Sequence, residues 1–416
     1  MEKTTVIYPK KQGKFNYGYI IVALSFLALF AAMGIRGSFG TYTTPWEQTF
    51  SVNRFMVSVV SFISLFIYGF SMMLAGRLVD RIGPRKVLSY SMVFLSICLL
   101  GSYYVTELWH MIILYGFIGS IGFGLASYIT VSVAIVKWFK EKKGLMISIV
   151  VVGMAAGPMI YTPLNIVLID KIGWKLLFVL YGGIYACVLL PLYLLFFKDQ
   201  PNLEGKFLSK GTVDEKIDKS LKPAVFAIFR YPVTWMLILA NFICGFTDIG
   251  LIHSHLVPFG ESREYSRSFI ANAMLLYGLF NILGTIAIGY VTDIFSNKRL
   301  LIILFGIRIT ALLVLIILNE PIWLLIFALL YGLTDISTIT PFTMLCTNIF
   351  GVNNMGASVG VIGLFHQLGA AVGALIPGYL FSQSNSYLST LWICTVILIV
   401  CSFLVLRVND KKMITL

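Results

Sequence analysis

Twelve long apolar runs follow one another along this chain, and they constrain its fold more than any other feature. Each run is about as long as the roughly 20 residues that a helix needs to cross the hydrocarbon core of a bilayer. Because the runs are continuous rather than alternating, they predict helices and not the strands of a membrane barrel. In chain order, as spans 1 to 12, they cover residues 18–46, 54–79, 86–105, 108–136, 144–168, 174–197, 232–257, 268–292, 299–318, 321–349, 356–382 and 386–407.

The composition excludes several other classes of protein. Of the 416 residues, 58% are hydrophobic and 12% are charged, whereas soluble domains carry about 25% charged residues. The six cysteines all lie inside apolar runs without ligand-type spacing, so we expect neither a disulfide scaffold nor a metal site. Neither a nucleotide-binding glycine-rich loop nor a nucleophile–base arrangement is evident. We therefore predict an all-α membrane protein that is not an enzyme and needs no cofactor.

The basic residues predict how the spans are oriented. Of the 31 lysines and arginines, 24 lie in the N-terminal segment, the even-numbered connections and the C-terminal tail. The positive-inside rule then places both termini in the cytoplasm and the multi-pass chain in the cell membrane. The net charge of +13 suits the anionic lipids of that bilayer. The expected partners are this bilayer, a small-molecule substrate and protons, with no nucleic acid, and we expect a monomer.

A single long polar connector divides the chain into two similar halves. The predicted organisation is a cytoplasmic segment 1–17, a six-helix bundle 18–197, a cytoplasmic connector 198–231, a six-helix bundle 232–407 and a cytoplasmic tail 408–416. Gly76 and Asp80 repeat as Gly289 and Asp293, both at an offset of 213 residues. Two halves in the same orientation are the parallel repeat of secondary transporters, which bind substrate between the halves near the midplane.

The connection between spans 2 and 3 carries a recognisable motif. The pattern G-x-x-x-D-R-x-G-x-R-K runs from Gly76 to Lys86, and it resembles the signature of the major facilitator superfamily. The resemblance covers essentially the whole chain and implies twelve transmembrane helices in two pseudo-symmetric six-helix bundles that rock around a central cavity. A solvated charged turn is the alternative for the motif itself. The residues expected to gate the cytoplasmic side are Gly76, Asp80, Arg81, Gly83, Arg85 and Asp293.

Three further segments resemble one branch of that superfamily. They are Gly34–Gly40, Trp138–Gly144 and Phe365–Gly369, which look like the bacterial relatives of the monocarboxylate transporters and the oxalate–formate antiporters. That family implies small carboxylates, often moved with a proton. Its eighth span usually carries an Asp and, four residues on, an Arg, but these positions are Asn281 and Thr285 in this chain.

Ionisable residues inside a span are costly, so each is a functional candidate. Arg36 lies near the middle of span 1, where a guanidinium could bind a substrate carboxylate through two parallel hydrogen bonds. Its alternative is a structural ion pair with an internal acid. Asp248 occupies a nearly matching place in span 7, so it could pair with Arg36 and take up the coupling proton. A static pair is the alternative.

Three other ionisable residues lie inside spans. Arg308 and Asp335 are predicted to form a buried structural pair, with Arg308 as the spare cation if Arg36 proves structural. His366 aligns with a cationic position of the antiporter relatives and could bind substrate or carry the coupling proton. A satisfied buried histidine is its alternative. His253, near the outer end of span 7, is not expected to bind a metal, since His255 two residues on faces another direction.

Neutral residues complete the predicted substrate site. Gln367 offers a donor and an acceptor, and Tyr128, Tyr161 and Asn281 could line the pocket or pack against a neighbouring helix. The glycine pairs 153/157 and 369/373 predict seams of close helix contact.

These features lead to one functional hypothesis and one alternative. The first is a secondary active transporter that moves a small, monocarboxylate-like organic anion by alternating access, coupled to protons. The alternative is a proton antiporter that exports an amphipathic metabolite or drug, which the loss of the family arginine at Thr285 favours.

Overall fold

The described part of the chain is helical throughout. A computed structural model describes residues 17–139, 143–200, 228–292, 294–318, 320–350 and 355–408, and none of these residues lies in a strand. The predicted all-α fold is therefore confirmed.

The N-terminal half contains spans 1 to 6. Its helices are Gly18–Gly37 and Gly40–Phe50 in span 1, Arg54–Ile82 in span 2, Pro84–Gly101 in span 3 with a 3₁₀ turn Ser102–Tyr104, Leu108–Met111, the π-helical Ile112–Gly119, Ser120–Leu125 and Tyr128–Trp138 in span 4, Lys143–Ile184 in spans 5 and 6, and the π-helical Tyr185–Leu189 and Leu190–Phe196 in span 6.

The C-terminal half contains spans 7 to 12. Its helices are a 3₁₀ turn Ile228–Arg230, Pro232–Gly245, the π-helical Phe246–His253 and Ser254–Ser262 in span 7, Arg267–Thr292 in span 8, Asn297–Ile317 in span 9, Ile322–Thr334, a 3₁₀ turn Ile336–Thr338 and Ile339–Phe350 in span 10, Met355–Ser384 in span 11, and Leu388–Arg407 in span 12.

Span 5 and span 6 form one continuous helical stretch that is folded back at a glycine. Eleven helical stretches in the described residues are long and apolar enough to cross a membrane, and one of them, Ile149–Phe196, has 48 residues. A straight helix of that length would extend about 72 Å, more than twice the bilayer core of about 30 Å. Gly173 interrupts it at φ 77° and ψ 158°, a conformation that glycine adopts without steric cost. The stretch therefore supplies two spans, which makes twelve.

The buried apolar side chains form two separate large cores. One core contains residues between Ile21 and Phe197. The other contains residues between Ile228 and Val408, together with Ile166 of span 5. Each half therefore has its own packed interior, as expected for two bundles that move against each other.

The predicted glycine seams are confirmed. A Cβ atom on Gly157 would lie 2.8 Å from the backbone nitrogen of Gly34, and one on Gly369 would overlap the carbonyl oxygen of Phe242. A Cβ on Gly373 would likewise overlap the carbonyl oxygen of Phe246. Only glycine lets spans 1 and 5, and spans 7 and 11, approach so closely.

Polar contacts join the two halves at one end of the bundle, where the odd-numbered connections lie, here called the odd-loop end. Thr44 donates to the Glu261 carboxylate over 2.5 Å, and Arg54 donates to the hydroxyl of Tyr387 over 3.2 Å. Arg267 forms an ion pair with Asp170, in the connection between spans 5 and 6. In this conformation the halves are closed on each other at the odd-loop end.

Candidate functional site

The helices of spans 7 and 10 are irregular near their middle, and this irregularity shapes the site. Span 7 is π-helical from Phe246 to His253, which adds a residue to the turn and rotates the side chains that follow. Span 10 breaks at Asp335, between the helix that ends at Thr334 and the short 3₁₀ turn Ile336–Thr338. A broken helix leaves backbone carbonyl groups without their usual donors.

Arg308 of span 9 satisfies these carbonyl groups. Its side chain is fully buried, and Nη2 donates to the carbonyl oxygens of Thr334, over 2.6 Å, and Asp335, over 2.7 Å. Nη1 forms an ion pair of 2.6 Å with Oδ1 of Asp248. The predicted pairing is thereby corrected, because Arg308 pairs with Asp248 and reaches Asp335 only through its backbone. The broken helix turns the Asp335 carbonyl, not its carboxylate, toward the guanidinium.

Asp248 is saturated with hydrogen bonds. Its Oδ1 also accepts from the hydroxyl of Tyr331 over 3.0 Å, and its Oδ2 accepts from the thiol of Cys244 over 3.1 Å. His366 brings a ring nitrogen within 4.8 Å of both the Cys244 sulfur and the Asp248 carboxylate. These three residue types could hold a metal ion, but the Arg308 guanidinium already contacts Cys244 and Asp248 and supplies the positive charge.

The Asp335 carboxylate points to a second cluster of polar groups. Its Oδ2 accepts from Tyr277 over 2.6 Å, from Asn281 over 2.9 Å and from Nε2 of His253 over 3.2 Å. Asn281 also accepts from the backbone nitrogen of Ile336 through its Oδ1, over 3.3 Å. Asn281 therefore positions Asp335, and this carboxylate of span 10 lies beside the span 8 position where the resembling family carries its own.

Arg36 lies apart from these acids. Its Nη2 donates to Oε1 of Gln367 over 3.2 Å, and its guanidinium carbon lies 3.7 Å from the centre of the Tyr68 ring, a cation–π contact. Its Nε is buried without a hydrogen-bond partner among the described residues. Within the same part of the chain Arg36 forms no ion pair, so the predicted contact with Asp248 is absent from this conformation.

Two small cavities lie between the halves, and His253 lines both. The first, of about 20 Å³, contains Gly37 of span 1 and Asn281 and Tyr277 of span 8 in its wall. The second, of about 10 Å³, contains Arg36 and Tyr115 in its wall. Each has room for about one water molecule. The His253 ring therefore contacts the Asp335 carboxylate and shares the wall of the second cavity with Arg36.

Neither of the two tyrosines that were predicted to line the pocket lies in the wall of these cavities. Tyr161 packs against Gly34, where a Cβ would lie 2.5 Å from its ring, and its hydroxyl lies 3.4 Å from that of Tyr185. Tyr161 thus belongs to the packing of span 1 against spans 5 and 6. Tyr128 is 38% exposed and does not line either cavity.

The motif between spans 2 and 3 contacts its own half in this conformation. Gly83 adopts φ 83° at the turn, Arg81 is exposed, and the Arg85 guanidinium donates to the carbonyl oxygen of Leu194 in span 6. The Asp199 carboxylate accepts from the Arg85 backbone nitrogen over 2.7 Å and so caps the start of span 3. A Cβ on Gly76 would lie 3.5 Å from Ile129 of span 4. The side chain of Asp80, and Asp293 as a whole, lie outside the described residues.

His253 is a residue of this site that was not predicted, because its place near the outer end of span 7 suggested no role in substrate or proton binding. A regular helical period cannot reveal the π-helical turn that rotates it inward. The sequence held one signal. Asn281 stands where the resembling family carries an aspartate, so span 8 supplies no carboxylate to the site.

The comparisons with known proteins agree with this architecture. The Major Facilitator Superfamily profile matches residues 24–374 and 266–414. The uncharacterized MFS-type transporter YcxA of Bacillus subtilis (strain 168) is 25% identical over 91% of this chain and 92% of its own. Human monocarboxylate transporter 12 is 22% identical over 91% of this chain and 78% of its own.

The crystal structure of a D-xylose–proton symporter has a TM-score of 0.79 and 16% identity, covering 96% of this chain and 100% of that one, which shows a shared fold. The family and its members are transporters rather than enzymes. The twelve spans in two bundles, matched along nearly the whole sequence, show that the chain is a multi-pass membrane protein of the major facilitator superfamily.

Proposed function

We propose that this transporter carries a small organic anion together with protons, and that Arg36 anchors the anion. The observation that carries the proposal is the state of the Arg36 guanidinium. It is buried, it lines a cavity between the halves, and it forms no ion pair within the described residues. A buried charge without a counter-charge destabilises a protein by several kcal/mol. A bound anion would offset that cost.

The neighbours of Arg36 also favour this role. Tyr68 belongs to span 2 of the N-terminal half, while Gln367 belongs to span 11 of the C-terminal half. An anion bound to Arg36 would therefore lie beside a guanidinium that residues of both halves contact, and the substrate of an alternating-access transporter binds between the halves. The buried Nε carries an N–H group that could donate to a carboxylate oxygen. With a second N–H group of the guanidinium it would form the two parallel hydrogen bonds for which guanidinium is suited.

A comparison also favours a carboxylate. One relative is named for monocarboxylates, human monocarboxylate transporter 12. By the distribution of basic residues we place the termini in the cytoplasm, so that the odd-loop end faces outward, and we propose a monomer.

The test is thermal unfolding of the purified protein with sodium formate, acetate, L-lactate, pyruvate, oxalate and succinate added separately. A ligand at about 100 times its dissociation constant stabilises by about 2.7 kcal/mol. Arg36→Met keeps an apolar side chain over Tyr68 and removes the charge. Because a hydrogen bond to a charged group contributes about 1.5–3 kcal/mol, the variant should bind the anion roughly ten- to hundred-fold more weakly.

Two controls make the result specific. Arg407→Ala removes an exposed arginine at the end of span 12 and should leave carboxylate binding unchanged. Without ligand, Arg36→Met should unfold at the same temperature as the wild type or higher, because losing the hydrogen bond to Gln367 and the cation–π contact with Tyr68 is offset by removing a buried charge that forms no ion pair within the described residues. Stabilisation that survives in Arg36→Met would contradict the anchor, and stabilisation only by larger amphipathic compounds would favour the exporter.

A further inference from the structure

The His253 ring has one nitrogen in hydrogen bonds and one without a hydrogen-bond partner among the described residues. Both hydrogen bonds that the structure gives the ring are made by Nε2, to Asp335 over 3.2 Å and with the Tyr277 hydroxyl over 3.3 Å. Since an ionised carboxylate only accepts hydrogen bonds, Nε2 carries the hydrogen of the neutral ring. Nδ1 then holds a lone pair.

Nδ1 lies close to span 1. A Cβ atom on Gly37 would lie 3.7 Å from Nδ1, and Gly37 and His253 share the wall of the first cavity. The residue before Gly37 is Arg36, which shares the wall of the second cavity with His253. The nitrogen that could accept a proton therefore belongs to a ring that shares a cavity wall with Arg36.

We propose that His253, held by Asp335, binds the coupling proton, and that the proton on Nδ1 and the anion on Arg36 are taken up together. The step is a simple protonation in which a hydronium ion gives its proton to the Nδ1 lone pair and leaves as water. Imidazole gains one positive charge, and the reverse step releases the proton after the halves reorient. This inference rests on the proposed anion-carrier function and assigns its proton site.

The charges around His253 explain the coupling. The ionisable groups that line the cavities with it or contact its ring are Arg36 of span 1, Tyr115 of span 4, Tyr277 of span 8 and Asp335 of span 10. Spans 2 and 5 present only serine, leucine, methionine, alanine and proline side chains to these cavities. Asp335 stabilises the imidazolium, while Arg36 repels it.

An anion between the two cations removes that repulsion. Anion binding therefore favours protonation of His253, and by linkage protonation favours anion binding to the same extent. Symport follows, because a proton or a monoanion bound alone leaves a net charge in the site, whereas the two bound together leave none. The sequence-based candidates are less suited to this role, since Asp248 is paired with Arg308 and neither Asp248 nor His366 lines either cavity.

The experiment measures the dissociation constants of sodium L-lactate and sodium oxalate from about pH 6 to pH 8, a range in which imidazole changes charge. If one proton binds with each anion, affinity should fall by up to about tenfold for each unit by which the pH is raised. His253→Gln should abolish this slope and the proton uptake seen with an indicator dye in weakly buffered detergent solution.

His110→Gln is the matched control, because His110 lies in the first turn at the start of span 4, away from both cavities. Glutamine fits the same helix-capping arrangement with Glu107, so the slope should persist. A slope that persists in His253→Gln while Arg36→Met still loses binding would overturn the proton site and leave the anion carrier standing.

A ligand-free measurement decides the case in which neither anion binds. In protein labelled with ¹⁵N-histidine, a pH series should show the ring signal assigned by its loss in His253→Gln pass between the protonated and the neutral form, and this change should be altered in Asp335→Asn. A ring that stays neutral throughout the series would overturn the proposal, whatever the substrate. Asp335→Asn also serves as the second variant if His253→Gln does not fold.

Discussion

Replacing Arg308 by methionine tests the buried network of the C-terminal half. The substitution removes the partner of Asp248 at 2.6 Å and the donors to the carbonyl groups of Thr334 and Asp335. Methionine has a similar length and adds no polar group, so the loss of these interactions dominates the effect.

The expected loss of stability is large because the side chains involved are almost fully buried. Arg308 is 0% exposed and Asp248 is 3% exposed. Removing one partner of a buried ion pair costs roughly 3–5 kcal/mol, because the other charge stays buried without compensation. Asp248→Asn should cost a similar amount, since it leaves the guanidinium beside a neutral amide.

The double variant gives the sharper result. When both charges are absent, neither remains uncompensated, so Arg308→Met/Asp248→Asn should lose much less than the sum of the single losses. We expect a coupling energy of up to about 3 kcal/mol. In the cycle of Arg308→Met with Asp335→Asn the coupling should stay below about 1 kcal/mol, because asparagine keeps the backbone carbonyl that Arg308 contacts.

The free energy of unfolding can be measured in mixed micelles titrated with dodecyl sulfate, with tryptophan fluorescence as the signal. A coupling energy that is larger for Asp335 than for Asp248 would refute the pairing seen in the structure. It would also restore the pairing expected from the sequence.

Two further predictions concern helix packing and closure. Gly369→Ala should destabilise by about 1–3 kcal/mol, because its Cβ overlaps the Phe242 carbonyl oxygen, whereas Gly363→Ala on the same helix meets nothing within 4 Å and should be neutral or stabilising. Equal unfolding free energies of the two variants would contradict the seam. Arg267→Ala removes the ion pairs with Asp170 and Glu261 at the odd-loop end. Such exposed pairs contribute up to about 1 kcal/mol. A cysteine introduced as Ser61→Cys in the wall of the second cavity, in a background that lacks the exposed Cys187, should therefore react with a charged thiol reagent up to about fivefold faster when Arg267→Ala is present. An unchanged rate, or an equal increase in Lys171→Ala, would contradict this closure.

The fold was predictable because the bilayer sets the length of each apolar run and forces helical hydrogen bonding within it. Even the boundary between spans 5 and 6, which a continuous helix obscures, is marked by Gly173. The ionisable candidates were found for a related reason, since a charge inside a span is costly and stands out from its surroundings.

The pairing of those charges was not predictable. Which carboxylate Arg308 meets depends on the helix break at Asp335, which turns one carbonyl toward the guanidinium and the carboxylate away. The inward position of His253 depends on the π-helical turn Phe246–His253, and hydrophobic periodicity does not record such a turn. In both cases the contacts join residues of different spans, which the periodicity of a single span does not reveal.

The most direct test of the account is proton-driven uptake into proteoliposomes. An inward proton gradient should drive accumulation of the carboxylate that stabilises the purified protein most, in the wild type and in Arg407→Ala. At a carboxylate concentration below the wild-type dissociation constant, Arg36→Met should accumulate roughly ten- to hundred-fold less, in line with its weaker binding. Accumulation by Arg36→Met equal to the wild type, or the failure of every carboxylate tested to accumulate in the wild type, would contradict the account.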